Sequence, residues 1–520
     1  MKKIFTKRYA MAAMTAVAVF AAMTATSCTK SDELLGTKTK NTITSINANI
    51  DEGLTKVYIA PDGSTTNGKK VTWKTNDAIT VINDAANASV VYTYDGTDNA
   101  KSGKFKTSGS LSASAGDQLY AFYNANGTVD AANNAISVSY TGATANDQAI
   151  WDGNTTTGDA TNNSLMYAGA SVASNDVVPS VTFKNANAII KSTVTGGTAA
   201  QTFNYITVVS GNGMMPIAGT ATISGTGDAV TLKWSNRTFG AVEYHSASTL
   251  NLSANNTWNQ LIIPSMQYGD GTVNTLDIGP IYYLFSDAPL ATATKVYYIE
   301  TTNPATLVAG KSYGLSKDVK LAGIIKSDGT LSTEDQAKTL WINQAPASTD
   351  ISSYVRSDGP SGIPYGITLI QANQSTAEVL KMIFAGTKLL TYINNYSTFS
   401  GTEENIYYCD HLKYISLANL TTLPVHFTNT CTALETIFLP KVTTISTNSY
   451  AFYGCTSLKK IIFGSIITST PRWAGCYILR NVDTTQIDLV FRKGQKDYDG
   501  NAISGNVYGD LTFKSINFMD

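Results

Sequence analysis

The chain has 520 residues, with Lys+Arg 37 against Asp+Glu 38 and a formal net charge of -1. Charged residues make up 14% of it, against about a quarter in a common globular chain, so there is no cationic footprint for a phosphate backbone and nucleic-acid binding is excluded. A hydrophobic content of 43% with 28 Tyr and 17 Phe excludes disorder along the whole length, while 5 Cys and 3 His are too few for a disulfide scaffold or a histidine-based centre, so neither metal nor cofactor is expected.

The N-terminus carries Lys2, Lys3, Lys7 and Arg8, followed by a small and apolar run from Met11 to Met23 broken only by Thr15. Thirteen such residues cover about 20 Å of helix, short of a ~30 Å hydrocarbon core, so residues 1–27 read as a signal peptide and not as a membrane span. Ala25-Thr26-Ser27-Cys28 resembles a bacterial lipoprotein lipobox, with Ala25 where Leu is usual. The resemblance implies lipid attachment at Cys28, a polar tether over residues 28–41 and a place on the outer face of the cell outer membrane.

From about Asn41 to Ser316, short runs alternate apolar and polar residues between Gly, Asn and Asp turns. Side chains that alternate in this way belong to half-buried antiparallel strands. Val71-Thr72-Trp73 and Ala78-Ile79-Thr80-Val81 flank the turn at Asn76-Asp77, and Leu119-Tyr120-Ala121-Phe122-Tyr123 follows Gly116-Asp117. Asp95-Gly96 after Val90–Tyr94 is a hairpin signal. The fold class is therefore mainly β, of sandwich type.

These motifs are similar to those of the fimbrillin-like proteins, the type V pilins and cell adhesion proteins of Bacteroides-type bacteria. Trp73-Lys74-Thr75-Asn76-Asp77-Ala78-Ile79 resembles the family's Trp–Gly-Asp motif with Asn76 in place of glycine, and Gly116–Tyr123 its following strand. Val181–Ile190 resembles the opening of its second domain, and Ala309-Gly310-Lys311-Ser312-Tyr313 its closing strand. The resemblance implies two transthyretin-like β-sandwich domains, residues 42–172 and 173–318. It also implies assembly with other fimbrial subunits by strand exchange, and proteolytic maturation after a basic residue in an early strand, for which Lys56 is the candidate.

Beyond residue 384 the chain repeats itself. Cys409, Cys431, Cys455 and Cys476 lie 22, 24 and 21 residues apart, and each opens a common phrase. Leu412, Ile415 and Leu417 follow the first, Leu434, Ile437 and Leu439 the second, Leu458, Ile461 and Phe463 the third, and Leu479 and Val482 the fourth. A period of 20–29 residues with apolar residues at fixed offsets is the leucine-rich repeat pattern, in which neighbours must stack to bury their apolar sides. Ile437–Ile445 followed by Ala451–Leu458 resembles the BspA-like bacterial subclass. A degenerate earlier coil is expected from Gly386 with Leu389 and Tyr392, so a short solenoid and its C-terminal cap would occupy residues 384–520. Residues 319–383 would be linker and N-terminal cap, with Ser375-Thr376-Ala377-Glu378 opening a helix.

Four thiols at this spacing are too far apart in sequence for a zinc site. Parallel side chains ~4.8 Å apart suit disulfide geometry poorly. A structural ladder of buried thiols is expected. Tyr414, Tyr450, Tyr453 and Trp473 are candidates for partner binding, against coil packing as the alternative, because aromatic side chains give large contact area.

Catalytic patterns do not survive their context. Gly310-Lys311-Ser312-Tyr313-Gly314 fits both G-x-S-x-G and a GKS triplet, but no strand–turn–helix of an α/β sheet surrounds it, and it reads as a closing strand. Asp497-Tyr498-Asp499-Gly500 opens like a calcium loop, yet the twelfth position is Tyr508 where glutamate is needed. His245, His411 and His426 stand isolated. The chain is expected to be no enzyme. It is read as a cell-surface adhesion lipoprotein, a fimbrial tip or cap subunit or a free-standing adhesin whose repeat binds a protein or glycan partner of host, bacterial or matrix origin. The alternative is a surface glycan-binding lipoprotein serving a neighbouring outer-membrane transporter.

Overall fold

A computed structural model describes residues 40–51, 73–98, 100–123, 127–139, 151–152, 165–173, 178–210, 215–239, 242–253, 257–262, 275–278, 281–289, 293–300, 305–321, 323–325, 331–332, 339–342, 369–372, 391–394, 412–417, 420–447 and 449–519. Among these the regular structure is β-strand with a few 3-10 turns. Cys28, Lys56, Cys409, His411 and the Ser375–Glu378 helix start lie outside the described residues.

The first body is a closed barrel. Its strands run in the order Lys40–Ile50, Ser180–Asn185, Met166–Ser171, Gln118–Tyr123, Ala78–Asn83, Ala88–Tyr94 and Ser102–Ser114, the last pairing back to the first. Closure leaves this sheet without a free edge. Trp73 fills the interior, fully buried, with Phe105, Tyr123 and Phe183 edge-on at 4.9, 5.5 and 5.4 Å. Its indole Nε1 donates to the Ala48 carbonyl at 3.3 Å, which satisfies the one polar atom of the ring.

Two turns of one design feed the barrel strands. In each, an Asp side chain accepts from the amide three residues earlier: Lys74 to Asp77 at 2.7 Å and Ser114 to Asp117 at 2.8 Å. In each, the residue before the Asp lies in the left-handed region, Gly116 at φ 88° and Asn76 at φ 72°. Asn is the side-chain-bearing residue that tolerates this region best, which explains why Asn76 can stand where the motif has glycine.

The boundary expected at 172/173 is crossed by hydrogen bonds in both directions. Ser180–Asn185 pairs in parallel with Lys40–Ile50 and so belongs to the barrel. Conversely, Ala135–Ser139 pairs with Pro216–Thr226, and Trp151–Asp152 with Thr257–Ile262. The second body holds a five-stranded sheet, Val242–Asn251, Thr202–Ser210, Ile281–Ser286, Val296–Glu300 and Lys320–Leu321, together with the sheets around Pro216–Thr226 and Ala188–Val194. Gln118–Tyr123 shows why the two bodies hold together. Leu119, Ala121 and Tyr123 face the barrel interior, while Tyr120 and Phe122 face the second core with Phe203, Ile217 and Trp234. A strand buried on both faces reads as a continuous apolar run.

Ser312–Lys317 pairs in parallel with Ala188–Val194, so the Gly310–Gly314 motif lies in a strand and its approach, as its context implied. His245 stacks on Tyr205 at 4.5 Å.

The C-terminal region is a parallel ladder. Thr391–Asn394, Tyr414–Leu417, Thr436–Leu439, Lys460–Phe463, Asp488–Arg492 and Ser515–Met519 pair in sequence order. Tyr392, Ile415, Ile437, Ile461, Leu489 and Ile516 fall in one register. The sheet also takes in Gly323–Ile325, Thr339–Ile342 and Leu369–Ala372, so it begins well before residue 384. Alternation sends Ile437, Leu439, Ile461, Phe463, Leu489 and Phe491 into the repeat core, and Phe438, Ile462, Val490 and Met519 into a second, smaller cluster on the opposite face.

Candidate functional site: the turn edge of the repeat

Each repeat turns before its strand, and the turns stack through their own hydrogen bonds. The amides of His426, Thr428 and Thr430 donate to the carbonyls of Ser449, Ala451 and Tyr453 at 2.6, 2.7 and 2.7 Å. Those of Tyr450, Phe452 and Gly454 donate to Cys476, Ile478 and Arg480 at 3.5, 2.9 and 3.0 Å. The turns are therefore equivalent in the register His426, Tyr450, Tyr477 and, four residues on, Thr430, Gly454, Asn481. All six residues have positive φ, between 42° and 69°.

This register corrects the cysteine ladder. Cys431 and Cys455 occupy equivalent rungs as fully buried thiols. The next rung is Val482, because Cys476 aligns with Ser449, six residues before Cys455. Cys476 is only half-buried. Nor does Val482 enter a strand; the strand that pairs with Lys460–Phe463 starts at Asp488. The Cys455 thiol donates to the Thr428 carbonyl at 2.8 Å, and burial pushes its pKa far up, so the thiolate is suppressed.

Of the four aromatic candidates, two are packing residues. Trp473 is 1% exposed. It lies edge-on to Tyr508 at 5.1 Å and Phe513 at 5.9 Å, with its indole donating to the Thr470 hydroxyl at 3.0 Å. Tyr414 is 7% exposed, and burial, with the Glu435 charge adding to it, raises its phenol pKa. Neither side chain is available to a partner.

The other two come together on the turn edge. Tyr450 stacks on His426 at 5.0 Å and 7°, and on Tyr477 at 5.2 Å and 28°. Tyr453 meets Tyr450 edge-on at 5.9 Å, and its hydroxyl accepts from the Asn481 amide group at 3.1 Å. The Arg480 guanidinium lies over the last ring, 4.9 Å from the Tyr477 centroid. Tyr477 is 43% exposed, and Arg480 and Asn481 are exposed. Sequence reasoning missed His426, Tyr477, Arg480 and Asn481. Aligning the repeats on cysteine sets Pro471 five residues before Cys476, where Tyr450 stands before Cys455, and so hides the third ring.

Charge is distributed unevenly around the repeat. Residues 424–432, 446–457 and 470–482 contain no Asp or Glu. The carboxylates sit elsewhere. Glu435 lies between Lys413 at 3.3 Å and Lys459 at 3.0 Å. Burial acts to raise its pKa, but hydrogen bonds from Lys459 and Lys413 outweigh this and hold the carboxyl below its ordinary range. Asp499 and Asp510 pair with Arg472 at 3.5 and 3.2 Å. Asp497 accepts from the Asn501 amide at 2.7 Å, and among the described residues no group of three or more metal-ligating side chains is brought together.

Residues 365–480 match the family model of the BspA type leucine rich repeat region, in 6 copies. This segment is similar to BspA-type leucine-rich repeats. The match begins before the expected boundary at 384, as does the ladder. No curated protein matches the chain. Among solved structures, the chain is similar to a protein of Bacteroides ovatus described under cell adhesion (16% identity, 55% of this chain and 96% of that one, TM-score 0.30). A second such protein, from Bacteroides uniformis, shows 14% identity over 54% and 94% of the two chains, with TM-score 0.30. The tip fimbrial protein Mfa3 of Porphyromonas gingivalis, C-terminally truncated, shows 9% identity over 55% and 99%, with TM-score 0.27. The repeat region thus carries the exposed aromatic edge, and its stacked turns hold the rings in register.

Proposed function

We propose that the protein is a cell-surface adhesion lipoprotein whose BspA-type repeat binds a protein partner through its turn edge. The observation that carries the reading is the stack His426–Tyr450–Tyr477–Arg480, whose three rings stand at backbone positions that cost side-chain-bearing residues free energy. Core packing explains Trp473 and Tyr414, but not three rings ranked on an edge. Tyr and Arg are the residues that dominate protein interfaces. A glycan site would need free ring faces on which sugars can lie. Here Tyr450 stacks on both His426 and Tyr477, and Arg480 lies over Tyr477, leaving ring edges, hydroxyls and a guanidinium, which suit a protein better.

In this reading Cys28 carries the lipid, Lys56 is the maturation site and the β-rich body lifts the repeat from the outer membrane. Other fimbrial subunits would join the body by strand exchange, with this chain as tip or cap because its repeat follows the second β unit. Removing residues 412–519 from the protein on intact bacteria tests the proposal. Loss of adhesion with surface display unchanged supports it, and undiminished adhesion would refute it.

A further inference from the structure

The turn ladder stops at a rung that is unfilled. In the two preceding rungs, three amides at alternate residues donate to three carbonyls at alternate residues of the next turn. The equivalent amides of the last turn belong to Tyr477, Leu479 and Asn481, and none has an acceptor among the described residues. The carbonyls of this turn are turned back toward the preceding rung: Ile478 and Arg480 accept from Phe452 and Gly454. An edge that has only donors to offer selects for acceptors, since unpaired backbone groups are costly to cover with anything else.

Beside this rung lies the one feature of the edge that carries unpaired charge among the described residues. Arg480 lies over the Tyr477 ring at 4.9 Å, and no carboxylate among the described residues reaches it. Arg472, earlier in the same segment, is paired to Asp499 and Asp510. A guanidinium held by one face still presents its N–H edge to a carboxylate in bidentate geometry.

We infer that the Tyr477–Asn481 rung takes an extended, carboxylate-bearing segment of a partner polypeptide. An extended chain shows carbonyls on alternate residues along one side, which is the pattern that the three amides need, and the addition of a strand to an open ladder is a general mode of peptide recognition. An Asp or Glu of the same segment pairs with Arg480. The inference rests on the proposed adhesive function and names the chemistry of the partner at that edge.

The test uses the whole chain and a displayed library of random dodecapeptides. Selected peptides are expected to be enriched in Asp and Glu. Arg480→Glu and Tyr477→Ala should each weaken their binding by roughly tenfold or more, and Arg480→Gln by less, with exchange protection of the Lys460–Phe463 strand retained as evidence of folding. Amide hydrogen exchange at Tyr477, Leu479 and Asn481 should be fast in the free chain and slow with peptide bound. Selection without carboxylate enrichment, equal binding by Arg480→Glu, or slow exchange at those amides in the free monomer would overturn it. So would a dimer that protects them, which would make a second copy the occupant. Failure here with adhesion still dependent on residues 412–519 would remove this inference alone.

Discussion

Tyr450 is the centre of the turn stack, and its replacement separates two forces that act on it. The ring contacts His426, Tyr477 and Tyr453 at 5.0, 5.2 and 5.9 Å. An aromatic pair contributes ~0.5–1.5 kcal/mol beyond area burial. Since Tyr450 is half-buried, the lower part of that range applies, and losing three pairs in Tyr450→Ala should cost about 2 kcal/mol. The backbone works the other way. With φ at 42°, any residue bearing a Cβ carries a left-handed penalty of about 1 kcal/mol that glycine escapes. Tyr450→Gly should therefore be less destabilising than Tyr450→Ala by up to about 1 kcal/mol, the reverse of the order in a helix. Amide exchange of the Thr436–Leu439 and Lys460–Phe463 strands reads the local stability. Equal losses, or glycine as the worse variant, would refute the claim that stacking holds a strained turn in place.

Three other perturbations test separate parts of the fold. Maleimide should label Cys476 quickly in the folded chain and Cys431 and Cys455 only on unfolding, as followed by mass spectrometry; Cys455→Val, which copies the Val482 rung, should change stability by less than about 1.5 kcal/mol. Asp117→Ala removes the acceptor for the Ser114 amide and the Asn83 side chain and should lower barrel stability by about 1–3 kcal/mol in denaturant titration. Burial pushes the Tyr508 phenol up to about 12 from 10.0. The folded state then holds this proton more tightly, so its contribution is intact below pH 10 and is lost as pH rises toward 12; the Trp473 environment should open in that window, and Tyr508→Phe should flatten the alkaline limb.

Strand content was legible because alternation is local: Ile79/Val81 and Leu119/Ala121 announce their barrel faces two residues at a time. Closure of that barrel was not, because the parallel pairing of Ser180–Asn185 with Lys40–Ile50 joins segments 130 residues apart, and no local pattern records such a pairing. The same distance effect hid the exchange of Ala135–Ser139 into the second body. In the repeat, the phrases opened by Cys431 and Cys455 gave the register correctly. The frame failed at Cys476 because the third turn falls 27 residues after the second, where the second follows the first by 24, and the cysteine rung is taken by valine. Left-handed positions usually announce themselves as Gly or Asn, and here His426, Tyr450 and Tyr477 occupy them. The edge that the rings form was therefore invisible until the turns were stacked.

The central claim is that the turn edge of the repeat makes the adhesive contact. It is tested most directly by comparing intact bacteria that display the wild-type chain, the double variant Tyr477→Ala/Arg480→Glu, and Val91→Lys, which alters an exposed barrel residue (54% exposed). At matched surface levels, attachment should fall at least about fivefold for the double variant, a difference of ~1 kcal/mol at the contact, and stay at the wild-type level for Val91→Lys. Wild-type attachment by the double variant, or a loss caused by Val91→Lys alone, would contradict the account.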